Sequence, residues 1–132
     1  MRLLRRTLYA MAAVWAATGI ALIAVPRWVF VDLFAQVPYP DYATVRIAGV
    51  CSFVFAMLMT ITAQRLEEIW VFCWAFVFAE VGIALVALAN ALWGRPDGSG
   101  SLLWWLLAAS GVGFAAALLA GLAKTGTERP IV

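Results

Sequence analysis

Histidine is absent from this chain of 132 residues. Bis-histidine haem ligation, the usual catalytic zinc and iron sites, and any Ser–His or Cys–His nucleophile all need an imidazole, so each is excluded. Charge is scarce as well: Asp, Glu, Lys and Arg make up 12% of residues, against about a quarter in an ordinary soluble domain. The net charge is only +2, and the basic residues sit near chain ends and turns rather than in a patch, which argues against nucleic acid as a partner. Cysteine is limited to Cys51 and Cys73. They do not form a C-x-x-C pair, which excludes the signature of a thiol–disulfide oxidoreductase. No catalytic residue, metal ligand or cofactor ligand emerges from the remaining side chains.

What the chain has instead is apolar surface. Hydrophobic residues make up 66% of it, and the mean hydropathy is +0.98. A core of this size cannot hold so many apolar groups, so lipid must solvate much of the surface. Four runs are long enough to cross a hydrocarbon layer of ~30 Å, which takes roughly 20 helical residues. They cover about 8–25, 42–63, 69–93 and 102–123. The runs lack the alternation of barrel strands, so they are helices. The expected fold is all-α: a single transmembrane domain, an integral membrane four-helix bundle. The first run has a basic start and Ala10-Met11-Ala12 like a signal peptide. Its apolar stretch is too long for one, and it is expected to be retained.

The connections differ in kind. Gln64–Glu68 is a tight turn that predicts antiparallel neighbours on either side. Gly94–Ser101 is polar, glycine-rich and expected to be mobile. Pro26–Val37 is apolar, too short to span, and suits a short interfacial helix between the first and second spans, ended by Pro38-Tyr39-Pro40. Arg2, Arg5, Arg6, Arg65, Lys124 and Arg129 flank one side of the layer, and Arg27 and Arg95 the other. This asymmetry places both termini in the cytoplasm. Trp28, Trp93, Trp104 and Trp105 then mark the outer interface and Trp70 the inner one. Abundant alanine, and eight arginines against one lysine, point to a GC-rich bacterial genome and hence to a bacterial cytoplasmic membrane.

Small residues let helix backbones approach where lipid supplies no hydrophobic drive. Ala109, Gly113, Ala117 and Gly121 share one face of the fourth span, and Ala13, Ala17 and Ala21 one face of the first. Both stripes predict tight contacts, within the bundle or with a protein partner or second copy. Gly49 lies on the Arg46 face of the second span.

Two ionisable residues fall inside spans. Glu80 is near the middle of the third, where a charge costs about 3 kcal/mol on insertion scales. The Val, Phe, Ile and Leu residues around it outweigh that cost, so the span still inserts. Its helical face carries Cys73, Val77, Ala84, Ala87 and Ala91, a face suited to burial. Arg46, near the outer end of the second span, is the available cation. Three readings stay open: an intramembrane pair of Arg46 and Glu80 that fixes register, a functional site for proton, cation or headgroup, and a snorkelling Arg46 beside a protonated Glu80. Trp15, Trp74 and Asn90 have ordinary helix-contact readings, Asn90 as an interhelical hydrogen bond.

The layout resembles the DoxX-like small four-helix bacterial membrane proteins. The matching pieces are the basic start, Pro26, the apolar Pro26–Val37 segment, Arg46-Ile47-Ala48-Gly49 and Glu80. The resemblance implies a quinone-linked oxidoreductase subunit or an accessory partner of redox proteins. From the residues themselves the first expectation is a non-catalytic accessory or assembly subunit in membrane lipid. The alternative is a small transporter or lipid-binding protein using Glu80 with Arg46.

Overall fold

The computed structural model describes residues 1–128, so Arg129, one of the flanking cations above, lies outside the described residues. Among these the chain is helical and has no strand. Four helices carry it: α1 (Arg2–Ala24), α2 (Ala43–Gln64), α3 (Cys73–Leu92) and α4 (Leu102–Glu128). A helical turn, Leu66–Ile69, and a 3₁₀ turn, Trp70–Phe72, lead into α3, making Leu66–Leu92 one apolar stretch. All four stretches are long and apolar enough to cross a membrane. α1 starts ahead of its apolar run because Arg2, Leu3, Leu4 and Arg5 are good helix formers. Several hydroxyls within the helices are satisfied locally. Thr7, Ser52, Thr60, Thr62 and Thr125 each donate to the carbonyl four residues back, at 2.8–3.0 Å.

The helices associate as two close pairs. α1 lies against α2 and α3 against α4, and contact between α1 and α4 joins the pairs. Glycine sets each approach. A Cβ added to Gly19 would stand 2.7 Å from the Gly49 carbonyl oxygen, and one added to Gly49 would stand 2.9 Å from that of Gly19. Between α3 and α4, a Cβ on Gly111 would meet the Glu80 carbonyl oxygen at 2.8 Å. Gly121 packs against Leu4 of α1. α2 and α3, joined by the tight turn, do not form a third close pair. Their backbones stand apart, and the rings of Phe55 and Phe76 bridge the gap at 5.2 Å.

The small residues buried within the chain coincide only in part with the two predicted stripes. In α1, Ala13 and Ala17 are exposed and Ala21 is half-buried, whereas Ala12 and Gly19 are buried. In α4, Ala109 and Gly113 are exposed and Ala117 is half-buried, while Gly121 of the same stripe is buried, as are Ala108, Gly111 and Ala115. Strict four-residue spacing drifts around a helix with 3.6 residues per turn, so the buried line alternates steps of three and four. The large buried side chains Leu4, Leu8, Met11, Met59, Leu66 and Leu118 collect where α1 begins and α2 ends.

At the opposite end the two long loops are clasped together. The segment after Pro26 forms a single π-helical turn, Trp28–Leu33, shorter than the helix expected there. Its exit is a widened helix stop: Gln36 N–H donates to the Phe30 carbonyl at 2.7 Å and Ala35 N–H to that of Val31 at 3.1 Å. Ala35 carries the left-handed φ of 52° that this stop requires. The buried Gln36 then donates its amide to the carbonyls of Phe34 and Gly100, at 3.0 and 2.8 Å. Gly100 N–H returns to the Ala35 carbonyl at 2.9 Å. The Gly94–Ser101 loop, expected to be mobile, is thus pinned at its C-terminal end.

Two substitutions test this packing. Gly19→Ala should destabilise the chain by about 1–3 kcal/mol, because the atoms it meets are backbone and cannot yield. Ala35→Gly should stabilise it by up to about 1 kcal/mol, the relief of a left-handed alanine less the added freedom of the unfolded chain. Reversible unfolding in mixed micelles measures both.

Candidate functional site

Glu80 is the natural starting point, a carboxyl buried to 2% exposure in the middle of α3. The face expected to be buried is the buried one: Cys73, Val77, Ala84, Ala87 and Ala91 share it, together with Phe76. Each helix contributes to its surroundings. Trp15 of α1 donates its indole N–H to Glu80 Oε1 at 2.9 Å. Phe55 of α2 stands edge-on to the Trp15 ring at 5.2 Å and to Phe76, one turn before Glu80, at 5.2 Å. Gly111 of α4 lies against the Glu80 backbone. The result is a polar contact enclosed by aromatic edges, with small residues of α3 and α4 leaving room for it.

The structure does not bring Arg46 and Glu80 together. Arg46 is exposed, in a groove with Arg27, Asp32 and Tyr42 at the end of α1. Among the described residues, Trp15 is the hydrogen-bond partner of the Glu80 carboxyl. The physical reason is depth: Arg46 sits in the first turn of α2, and its long side chain has a polar boundary nearer than the midplane. Trp15 was legible only as an apolar helix contact. The overlooked signal is that a tryptophan in mid-span needs an acceptor for its N–H, and Glu80 is the acidic residue at that depth. Gly19 and Gly111, also missed, have no marker in the sequence beyond their size. Asn90 donates to the Val86 carbonyl of its own helix at 3.0 Å, rather than across helices.

The tryptophans expected at interfaces divide. Trp28, Trp93 and Trp105 are exposed, and Trp70 is half-buried at the opposite end. Trp104 is half-buried too, and its indole nitrogen is enclosed without a partner. Cys51 and Cys73 are free thiols, the first exposed and the second buried. No group of three or more Cys, Asp or Glu side chains able to hold a metal occurs among the described residues.

Several grooves run along the helix pairs. One of about 800 Å³ lies between α3 and α4 and is lined by Val81, Leu85, Leu88, Ala109, Val112, Gly113, Ala116 and Leu119, with Trp105 at one end. A Cβ on Gly113 would meet nothing within 4 Å. Glu80 lines neither this groove nor the one between α1 and α2. No family model, curated protein or solved structure matches the chain.

Trp15→Phe keeps the ring and removes the N–H, leaving a buried carboxyl without its donor. Membrane hydrogen bonds average about 0.6 kcal/mol, but an orphaned acceptor adds its own penalty, so the expected loss is about 1–2 kcal/mol. Glu80→Gln keeps an acceptor oxygen and should cost less. A double-mutant cycle on these two positions measures the coupling; a value near zero would remove the bond from the account.

Proposed function

We propose that the chain is an integral membrane four-helix bundle of the bacterial cytoplasmic membrane, serving as a non-catalytic accessory or assembly subunit of a larger membrane complex. Both termini lie in the cytoplasm, on the more basic side, and the Trp28–Leu33 turn lies in the outer interface with Trp28, Trp93 and Trp105. The DoxX-like layout fits this reading.

The observation that carries it is the open face of α4. Ala109, Gly113 and Ala116 line a long apolar groove beside α3, and a Cβ on Gly113 would have open space where one on Gly111 would meet backbone. Small residues that do not serve the chain's own packing suit the close approach of another transmembrane helix. Glu80 supports the same reading from inside. It is engaged by Trp15 and lies off the grooves, as a residue that holds helices in place would. A second reading, binding of an apolar ligand, is favoured by the volume of the same groove, which is within the range of small-molecule sites.

Purification from native membranes in gentle detergent, followed by native mass spectrometry, tests both. The wild type should carry a second polypeptide or a second copy. Gly113→Leu should lose that companion while keeping its melting temperature, whereas Gly111→Leu should fail to fold because its side chain meets backbone. A wild type that emerges as a bare monomer overturns the accessory reading, and one that emerges with a retained small molecule supports the second.

A further inference from the structure

The end of α1, the π-helical turn and the start of α2 enclose a groove of about 580 Å³ lined by Arg27, Trp28, Asp32, Tyr42 and Arg46. Its charges are unusual for a chain so poor in them: two arginines and one aspartate line one space. All three residues are exposed, and among the described residues no ion pair ties either arginine to Asp32. The Tyr42 ring is fixed edge-on to Tyr39 at 5.9 Å, and Tyr39 edge-on to Phe30 at 5.9 Å. Its hydroxyl oxygen accepts the Tyr39 N–H at 3.3 Å, which leaves the hydroxyl proton to donate.

Depth decides what can reach this groove. Arg46 is the fourth residue of α2, which puts it about 5 Å inside the helix end. Exposed aromatic rings at the same end, Trp28, Tyr39 and Trp93, belong at the level of lipid headgroups. Toward the interior, Ile23 and Ile47 are exposed apolar side chains beside which acyl chains can lie.

Charge decides among headgroups. Arginine pairs with phosphate through two parallel hydrogen bonds, and two arginines suit one phosphodiester. A headgroup carrying phosphate alone would leave Asp32 facing a like charge. A headgroup that also carries a primary ammonium satisfies the carboxylate, and the Trp28 ring offers it a cation–π contact.

We propose that this groove binds the phosphoethanolamine headgroup of a membrane phospholipid. The phosphate lies between Arg27 and Arg46 within reach of the Tyr42 hydroxyl, and the ammonium lies on Asp32 beside Trp28. This site shares no residue with the α3–α4 groove, so its failure leaves the accessory reading untouched.

The test is a lipid titration of the purified full chain by native mass spectrometry, comparing dioctanoyl phosphatidylethanolamine, dioctanoyl phosphatidylglycerol and water-soluble phosphoethanolamine. The ethanolamine lipid should bind about tenfold more tightly than the glycerol lipid, the scale of one charge-assisted contact. Asp32→Asn should abolish that preference, and the double variant Arg27→Ala/Arg46→Ala should weaken both lipids by about tenfold or more. Arg95→Ala, in the other loop, should change neither. Equal binding of the two lipids to the wild type, or an unchanged preference in Asp32→Asn, overturns the proposal. So does phosphoethanolamine binding as tightly as the lipid, which would make the source aqueous.

Discussion

A single hydrogen bond, from the Trp15 indole to the Glu80 carboxyl, organises the middle of this molecule. A carboxyl enclosed by apolar side chains must find a donor, because no water competes for it there. Trp15 supplies that donor from α1, and its ring supplies the surface on which Phe55 and then Phe76 stack. One polar requirement thus fixes the rotation of α1 against α3 and positions a ring of α2 between them. The small residues around Glu80 follow from the same need, since a bulky neighbour would displace either the carboxyl or the indole.

Around that contact the helices solve two packing problems in different ways. Within each close pair, glycine removes the side chain and lets backbone meet backbone: Gly19 against Gly49, and Gly111 against the Glu80 carbonyl. Between α2 and α3 the spacing is wide, and phenylalanine fills it. Dispersion does the work in both arrangements, because lipid leaves no solvent-exclusion gain to drive them.

Much of the architecture was legible in composition alone. Four apolar runs between polar breaks specify four helices with ends correct to within a turn, except at the termini, where arginine, lysine and threonine continue a helix that hydropathy cannot see. The buried face of α3 was legible too, because Glu80 marks it and the alanines follow its periodicity. The small-residue stripes were legible only in part: Gly121 packs against Leu4, while Gly113 meets no neighbour within the chain. A sequence shows that Gly111 and Gly113 are both small, but which of them meets a neighbour depends on helix rotation, and that is set by Trp15 and Glu80 from elsewhere in the chain. Arg46 misled for a related reason. Opposite charges suggest a pair, while the length of an arginine side chain lets it reach the nearest polar boundary instead. Ala35 is the clearest case of hidden geometry: nothing about an alanine announces a left-handed backbone.

The Gln36–Gly100 clasp has a bearing on how the chain is made. Its donors and acceptors come from segments separated by two complete helices, and they meet only when both loops have arrived on one side of the bilayer. α1 and α2 make their own close pair, with Gly19 and Gly49 apposed, through contacts that involve neither α3 nor α4. The clasp therefore ties the first helix pair to the second through their loops, and it can close only once both pairs are in place.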